Sequence, residues 1–400
     1  MTKVENKFFD FLRKNILLIG LACVTVFGLL IRICGFDFVS WDFRSFLSVW
    51  WDEIYYADTE ILAKQVGNYN IPYQLLIFVF SRFADNGLYA YKAISVFFDL
   101  ALSVGSALLA YELCGRKSKL VPFLTYSITF CSITVILNSS FWAQCDSIYV
   151  SFIIFSLFFL LREKTIPSFV LLALAFTFKL QFVFILPFYL FYYVLTRKFS
   201  VIYFLIIPVV DIIFCLPAIL FGRSFGDIFK IYVDQSNVGT QIQMNCPNLY
   251  AFLCNGLSSG NFYLLKNFAI LLTVAVLGVM LVLLIYKRVD FSDRRILLLT
   301  AVWTVFTCIV FLPSMHERYA YLLDILVIIY AVVYQRDVWV ALVCNMASLC
   351  GYSHYLFSYD VLDLKWVTIF YLAAYAYVTY SLLKDVAAVK VRKLGKSKNT

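Results

Sequence analysis

Met315-His316-Glu317-Arg318-Tyr319 sets an imidazole, a carboxylate and a guanidinium side by side where an apolar run begins. Alanine or leucine would enter a membrane more readily there, so the three polar groups must either pair with one another or hold a ligand. Other groups able to move protons or hold anions are sparse and sit at the edges of apolar runs. Asp42 lies between Trp41 and Phe43, and Asp52 and Glu53 follow Trp50-Trp51. Gln144 and Asp146 belong to Phe141-Trp142-Ala143-Gln144-Cys145-Asp146-Ser147, and Lys179 and Gln181 flank Leu180 between two apolar runs. Tyr69, Asn70, Tyr73, Asn245 and Asn248 add hydrogen-bonding groups. A carboxylate among these can take a proton from a hydroxyl, and arginine or lysine can hold a phosphate. Each residue also has a plainer role open to it. Asp42 can be a solvated loop carboxylate, and Asp146 can cap the helix that follows it. Lys179 can lay its stem along apolar surface and lift its ammonium to the interface. His316, Glu317 and Arg318 can form a local ion pair without a ligand.

The elements that must position these groups are membrane helices. Hydrophobic residues make up 63% of the 400 and charged residues 14%, against roughly 45–50% and 25% in soluble domains. Only lipid can solvate such a chain. Apolar runs of about 17 to 25 residues recur throughout, and in hydrocarbon each must satisfy its own backbone, which selects helices. A transmembrane barrel would alternate apolar and polar residues, whereas 16–30 and 268–286 are nearly continuous in Leu, Ile, Val, Phe and Ala. The fold class is therefore all-α and polytopic, one membrane domain over 1–400. About twelve spans are expected, near 15–36, 87–113, 120–138, 147–162, 166–178, 180–196, 201–221, 263–286, 295–312, 319–334, 337–353 and 366–383. The first run follows Arg13 and Lys14 as a signal peptide's would, but it is long and lacks an A-x-A-like site, so it reads as a retained anchor. The 11 cysteines include no C-x-x-C and read as small hydrophobes. Only Cys246 and Cys254 fall where an outer loop would let them pair, and free thiols are the commoner state.

Charge sets the topology. With the N-terminus in the cytoplasm, the inner segments collect 22 of the 33 Lys and Arg, among them Arg116, Lys117, Lys119, Lys287, Arg288, Arg294 and Arg295. An even number of spans returns the C-terminus to the cytoplasm, where the basic tail 384–400 lies near anionic headgroups. The net charge of +9 thus belongs to the membrane face and does not point to nucleic acid. Two outer segments are long, 37–86 and 222–262. Within the first, 71–80 is apolar but too short to span and reads as interfacial or re-entrant. On this topology Asp42, Asp52, Gln144, Asp146, Lys179, Gln181, Asn248 and His316 to Arg318 gather on one face, a cleft at headgroup level. No internal repeat is visible, which disfavours a secondary transporter.

Six short blocks occur in order. They are Trp41-Asp42-Phe43-Arg44 with Trp50-Trp51-Asp52, then Asn68-Tyr69-Asn70-Ile71-Pro72-Tyr73, then 138–149 with its Trp-Ala-Gln-Cys-Asp-Ser core. Phe178-Lys179-Leu180-Gln181, Asn245-Cys246-Pro247-Asn248-Leu249-Tyr250 and Phe311-Leu312-Pro313-Ser314-Met315-His316-Glu317-Arg318-Tyr319 follow. In these blocks, over 32–330, the chain resembles the mannosyltransferase-like bacterial branch of the GT-C glycosyltransferases. It also shares features with glucosyltransferases of the endoplasmic reticulum that use dolichyl-phosphate-glucose. The resemblance implies an integral protein of the bacterial plasma membrane with its site on the extracytoplasmic face. It implies a polyprenyl-phosphate-linked hexose as donor, a glycan acceptor and inversion at the anomeric carbon. Asp42 matches the family's general base in the first outer loop. His316, Arg318 and Lys179 are expected to bind the donor phosphate. Asp52, Tyr69, Asn70, Tyr73, Gln144, Asp146, Gln181, Asn248 and Glu317 are expected to contact substrate. The family often has Gly or His before the loop aspartate and Pro after the lysine, where this chain has Trp41 and Leu180, so the sugar stays open. The first loop has no Asp-x-Asp to grip a divalent ion, which favours a mechanism without metal or other cofactor. A flippase for lipid-linked sugars is the main alternative. A membrane O-acyltransferase is a weaker one, since neither of the two histidines sits in His-x-x-x-x-Asp.

Overall fold

Backbone groups without water close their hydrogen bonds within the segment, and the computed structural model, which describes residues 1–237, 241–252 and 261–397, is nearly all helix. Seven helices among the described residues are long and apolar enough to cross a membrane: Lys3–Cys34, Gly87–Leu113, Val201–Leu220, Phe262–Tyr286, Arg294–Phe311, Val338–Phe357 and Leu364–Ala388. An eighth crossing results if Leu120–Phe130 and Ile133–Phe141, bent by 46°, form one broken span. The expected spans near 147–162, 166–178, 180–196 and 319–334 are helices too, Asp146–Leu161, Thr165–Phe178, Leu180–Thr196 and Tyr321–Tyr334, but shorter.

Arg294–Phe311 and Tyr321–Tyr334 are the most enclosed helices, and Trp303, Phe306, Leu322 and Ile325 lie at the centre of the main apolar cluster. Lipid tails are as apolar as leucine, so helices associate through close packing and small residues. Gly87 shows this, since a Cβ there would stand 2.4 Å from the Trp51 indole. Buried charges are paired at the C-terminal end of the first helix. Arg32 donates to Asp99 at 2.9 Å and to the carbonyls of Gly28 and Phe130, and Ser139 donates to the same Asp99 oxygen at 2.6 Å. Lys92 donates to the carbonyls of Gly35, Phe36 and Phe38 at 2.8, 2.9 and 2.6 Å. It thereby ties down the chain that leads into Asp42.

The segment 37–86 is largely helical. Ser48–Tyr55 and Ile71–Ser81 bury Trp51, Ile54, Tyr73 and Ile77 in a second apolar cluster with Tyr91 and Ile148. The short apolar stretch at 71–80 therefore packs on protein along one side. Residues 223–235 clasp this loop. Arg223 donates to the Lys64 carbonyl at 2.6 Å and to Gln74 at 3.1 Å, and Gln235 donates to the Asn68 carbonyl at 2.7 Å and to Asn70 at 2.8 Å. Further on, Gln243–Met244 pairs in parallel with Met315–His316. Cys246 is buried, and Cys254, the other cysteine of that outer segment, lies outside the described residues.

Candidate functional site

Two π-helical turns, Phe43–Leu47 and Leu137–Phe141, stand directly beside the two loops that carry the site. Such turns are rare and recur at functional positions. After the second, Ala143 adopts φ 62°, a left-handed conformation that costs a residue with a Cβ of order 1–3 kcal/mol. The distortion aims two neighbouring side chains at one carboxylate. Trp142 Nε1 donates to Asp42 Oδ2 at 2.7 Å and Gln144 Nε2 donates to the same oxygen at 2.8 Å. Tyr355, from Val338–Phe357, donates its hydroxyl to Oδ1. Tyr69 donates to Gln144 Oε1 at 3.0 Å, which fixes the amide so that its nitrogen faces Asp42. Burial pushes the Tyr69 hydroxyl well up from its ordinary value, so it remains a neutral donor. An ionised carboxylate offers about four lone-pair positions. Three are taken here, and the one left open is on Oδ1.

A second carboxylate lies deeper. Asp146 opens Asp146–Leu161 and is fully buried, so its charge must be answered inside the protein. Lys179 donates to Oδ1, Asn138 to Oδ2 at 2.9 Å, and Arg318 Nη1 lies 3.5 Å from Oδ2. Asp146 therefore does more than begin a helix, and Lys179 is held by an ion pair instead of reaching for an interface. Two cations share one carboxylate, so one unit of positive charge is left over. Arg318 also stands 5.9 Å from the ring centre of Trp142, which couples the cation pair to the Asp42 network.

Between Asp42 and the Lys179–Arg318 pair opens a cavity of about 540 Å³. Asp42, Tyr69, Gln144, Lys179, Gln181, His316 and Arg318 line it, seven of the thirteen expected site residues. The other six do not reach its wall. Tyr73 is buried behind Tyr69, with ring centres 4.7 Å apart. Asn70 donates to the carbonyls of Phe176 and Thr177 at 3.3 and 3.0 Å, which braces the end of Thr165–Phe178 just before Lys179. Asn248 caps a short turn by accepting from the Tyr250 amide at 3.1 Å. Glu317 is buried with its carboxylate 3.9 Å from His316, and Asp146 sits beneath Lys179 and Arg318. Asp52 is the clear correction. It is exposed and away from the cavity, because the helix Ser48–Tyr55 turns Trp51 and Ile54 inward and Asp52 outward. His354 pairs with Asp360 at 2.6 Å, also outside the cavity.

Tyr355, Phe46, Gln235 and Lys266 line the cavity without having been singled out from sequence. Among the described residues no three His, Cys, Asp or Glu stand close enough to hold a metal ion. The arrangement presents an oriented carboxylate with a free acceptor position and, across one cavity, a surplus of positive charge on Lys179 and Arg318. No protein-family model matches the chain, and no curated protein does.

Proposed function

We propose that this chain is an inverting glycosyltransferase of the GT-C kind, moving a hexose from a polyprenyl-phosphate carrier to a glycan acceptor on the extracytoplasmic face. The observation that carries the reading is the shared cavity, with Asp42 on one side and the Lys179–Arg318 pair on another. An acceptor hydroxyl bonded to the open position of Asp42 loses its proton to that carboxylate as its oxygen attacks the anomeric carbon. The bond from that carbon to the phosphate oxygen breaks, and the electron pair leaves with the phosphate. Arg318 and Lys179 stabilise the growing charge in a site poor in water. Attack opposite the departing phosphate inverts the anomeric centre. A donor with a single phosphate needs only the surplus charge that these two cations supply, so the mechanism runs without metal, and transfer by purified protein should survive EDTA. A strict need for Mg²⁺ or Mn²⁺ would overturn that part.

The topology belongs to the same proposal. The seven long helices, the bent pair and four of the five shorter apolar helices make twelve crossings, with Ile71–Ser81 left on the outer side. Basic residues then fall in the cytoplasm and the cavity opens outward. A Tyr56→Cys variant in a background free of other reactive thiols should label in intact cells, since Tyr56 is exposed. Lys117→Cys should label only after permeabilisation. The reverse pattern would rule out an outer active site.

Arg318→Ala removes a fixed cation that bonds both Asp146 and the donor phosphate. A hydrogen bond to a charged group contributes about 1.5–3 kcal/mol, so donor use should fall roughly 10- to 150-fold. Arg318→Lys should recover only part, because the planar fork is lost. Unchanged donor kinetics in Arg318→Ala would remove it from the site. The function itself is tested by mass spectrometry of surface glycans in a deletion strain. Glycans ending one hexose short are expected, and an unaltered profile contradicts the proposal.

A further inference from the structure

The cavity has walls of two chemistries. Around the cations aliphatic side chains accompany the rings of Phe184 and Tyr319: Leu180 and Val183 follow Lys179, Leu312 and Met315 precede Arg318, and Ile270 comes from Phe262–Tyr286. Around Asp42 it is aromatic. Trp41, Phe46 and Trp50 all come from the segment that carries Asp42, and Tyr69 and Tyr355 complete the row. The rings form one continuous series. Tyr355 and Trp41 are 6.4 Å apart between centres, Trp41 and Phe46 5.4 Å, Phe46 and Trp50 6.0 Å, and Trp50 and Tyr69 5.5 Å. Trp41 is 60% exposed and Phe46 43% exposed, so the row offers open ring surface beside the carboxylate.

We infer that this aromatic row is the acceptor subsite, and that it seats hexose units of a glycan against Trp41 and Phe46 next to Asp42. The inference rests on the glycosyltransferase reading and adds to it which wall takes which substrate. A pyranose is a disc with C–H groups on its face and hydroxyls around its rim. An aromatic face carries negative charge density and attracts C–H groups laid against it, while the rim hydroxyls need polar partners. Asn68, Gln144 and the open position on Asp42 lie on the same wall. A polyprenyl chain there would cover the open position on Asp42 with hydrocarbon and leave it unpaired, at about 1–3 kcal/mol. Beside the cations Leu180, Val183, Leu312, Met315 and Ile270 offer such a chain apolar contact, and its phosphate reaches Lys179 and Arg318.

The test uses full-length protein in lipid nanodiscs and, as acceptor, the glycan released from the surface of a strain lacking this protein. Trp41→Ala and Phe46→Ala remove exposed rings and leave the core untouched. Loss of a well-placed aromatic costs more than about 1 kcal/mol in binding, so each variant should bind the glycan roughly tenfold more weakly. The acceptor KM should rise in step, and the dissociation constant for polyprenyl phosphate should not move. Trp41→Tyr should restore most of the loss, and Val183→Ser should show the opposite split. A rise in the polyprenyl-phosphate constant with glycan binding unchanged would assign the row to lipid and overturn the inference. So would a wild-type protein that does not bind the glycan. Because glycan binding is read without donor, loss of binding in Trp41→Ala in a protein that transfers no sugar would uphold the subsite while the transferase reading falls.

Discussion

Purified Asp42→Asn is expected to transfer sugar about 10²–10⁴-fold more slowly than the wild type, with binding of the lipid-linked donor retained. The amide keeps the size of the side chain but cannot take a proton from the acceptor. Its surroundings tolerate the change. The amide oxygen can still receive Trp142 and Gln144, which both donate to Oδ2. The new amino group then faces Tyr355, whose hydroxyl can turn to accept. A loss of activity in a folded, donor-binding variant therefore reports on chemistry and not on collapse of the site. Asp42→Glu should keep a small residue of activity, because a misplacement of ~1 Å can cost ~10²-fold. Wild-type rates in Asp42→Asn would mean that another group is the base.

Asp146→Ala should produce the largest loss of stability. The carboxylate is completely buried, and its removal strands Lys179 and Arg318 beside each other without the carboxylate that both contact. Breaking a buried ion pair from one side costs about 3–5 kcal/mol, visible as a lower unfolding temperature in detergent. Two further measurements separate this from a simple packing defect. Adding Lys179→Met to Asp146→Ala should return part of the loss, since one stranded cation is gone. Polyprenyl phosphate should stabilise the single variant more than it stabilises the wild type, because its phosphate takes the place of the missing carboxylate. An unfolding temperature that neither falls in Asp146→Ala nor responds differently to the phosphate would show that the two cations are not held as described.

Lipid made much of this site legible in the sequence. A polar side chain at the edge of an apolar run is expensive, so Asp42, Gln144, Lys179, His316 and Arg318 stand out by type and position, although up to 276 positions separate them. They line one cavity. Tyr355 did not stand out, because a tyrosine inside an aromatic-rich apolar stretch is ordinary, and nothing local says that it reaches back to the first loop. Lys92 is similar. Its role depends on three carbonyls more than fifty residues away. Asp52 misled in the other direction, since Trp50-Trp51-Asp52 looks like a site motif, yet the helical period turns its carboxylate out. Helix lengths were blurred for a related reason. Hydropathy reports the solvent of a run, whereas the break at Lys179, between Thr165–Phe178 and the turn Leu180–Phe184, depends on the ion pair that the lysine makes with Asp146.

The central claim is that a new glycosidic bond forms at this cavity, and reconstitution in proteoliposomes tests it most directly. Vesicles carry radiolabelled polyprenyl-phosphate-hexose in their membrane, with surface glycan from the deletion strain supplied on the side to which the cavity opens. Label should appear in the glycan with inverted anomeric configuration, and Asp42→Asn should slow its appearance about 10²–10⁴-fold. Label that instead crosses the bilayer still attached to polyprenyl phosphate, with no glycan product, would contradict the account and identify the chain as a carrier of the lipid-linked sugar.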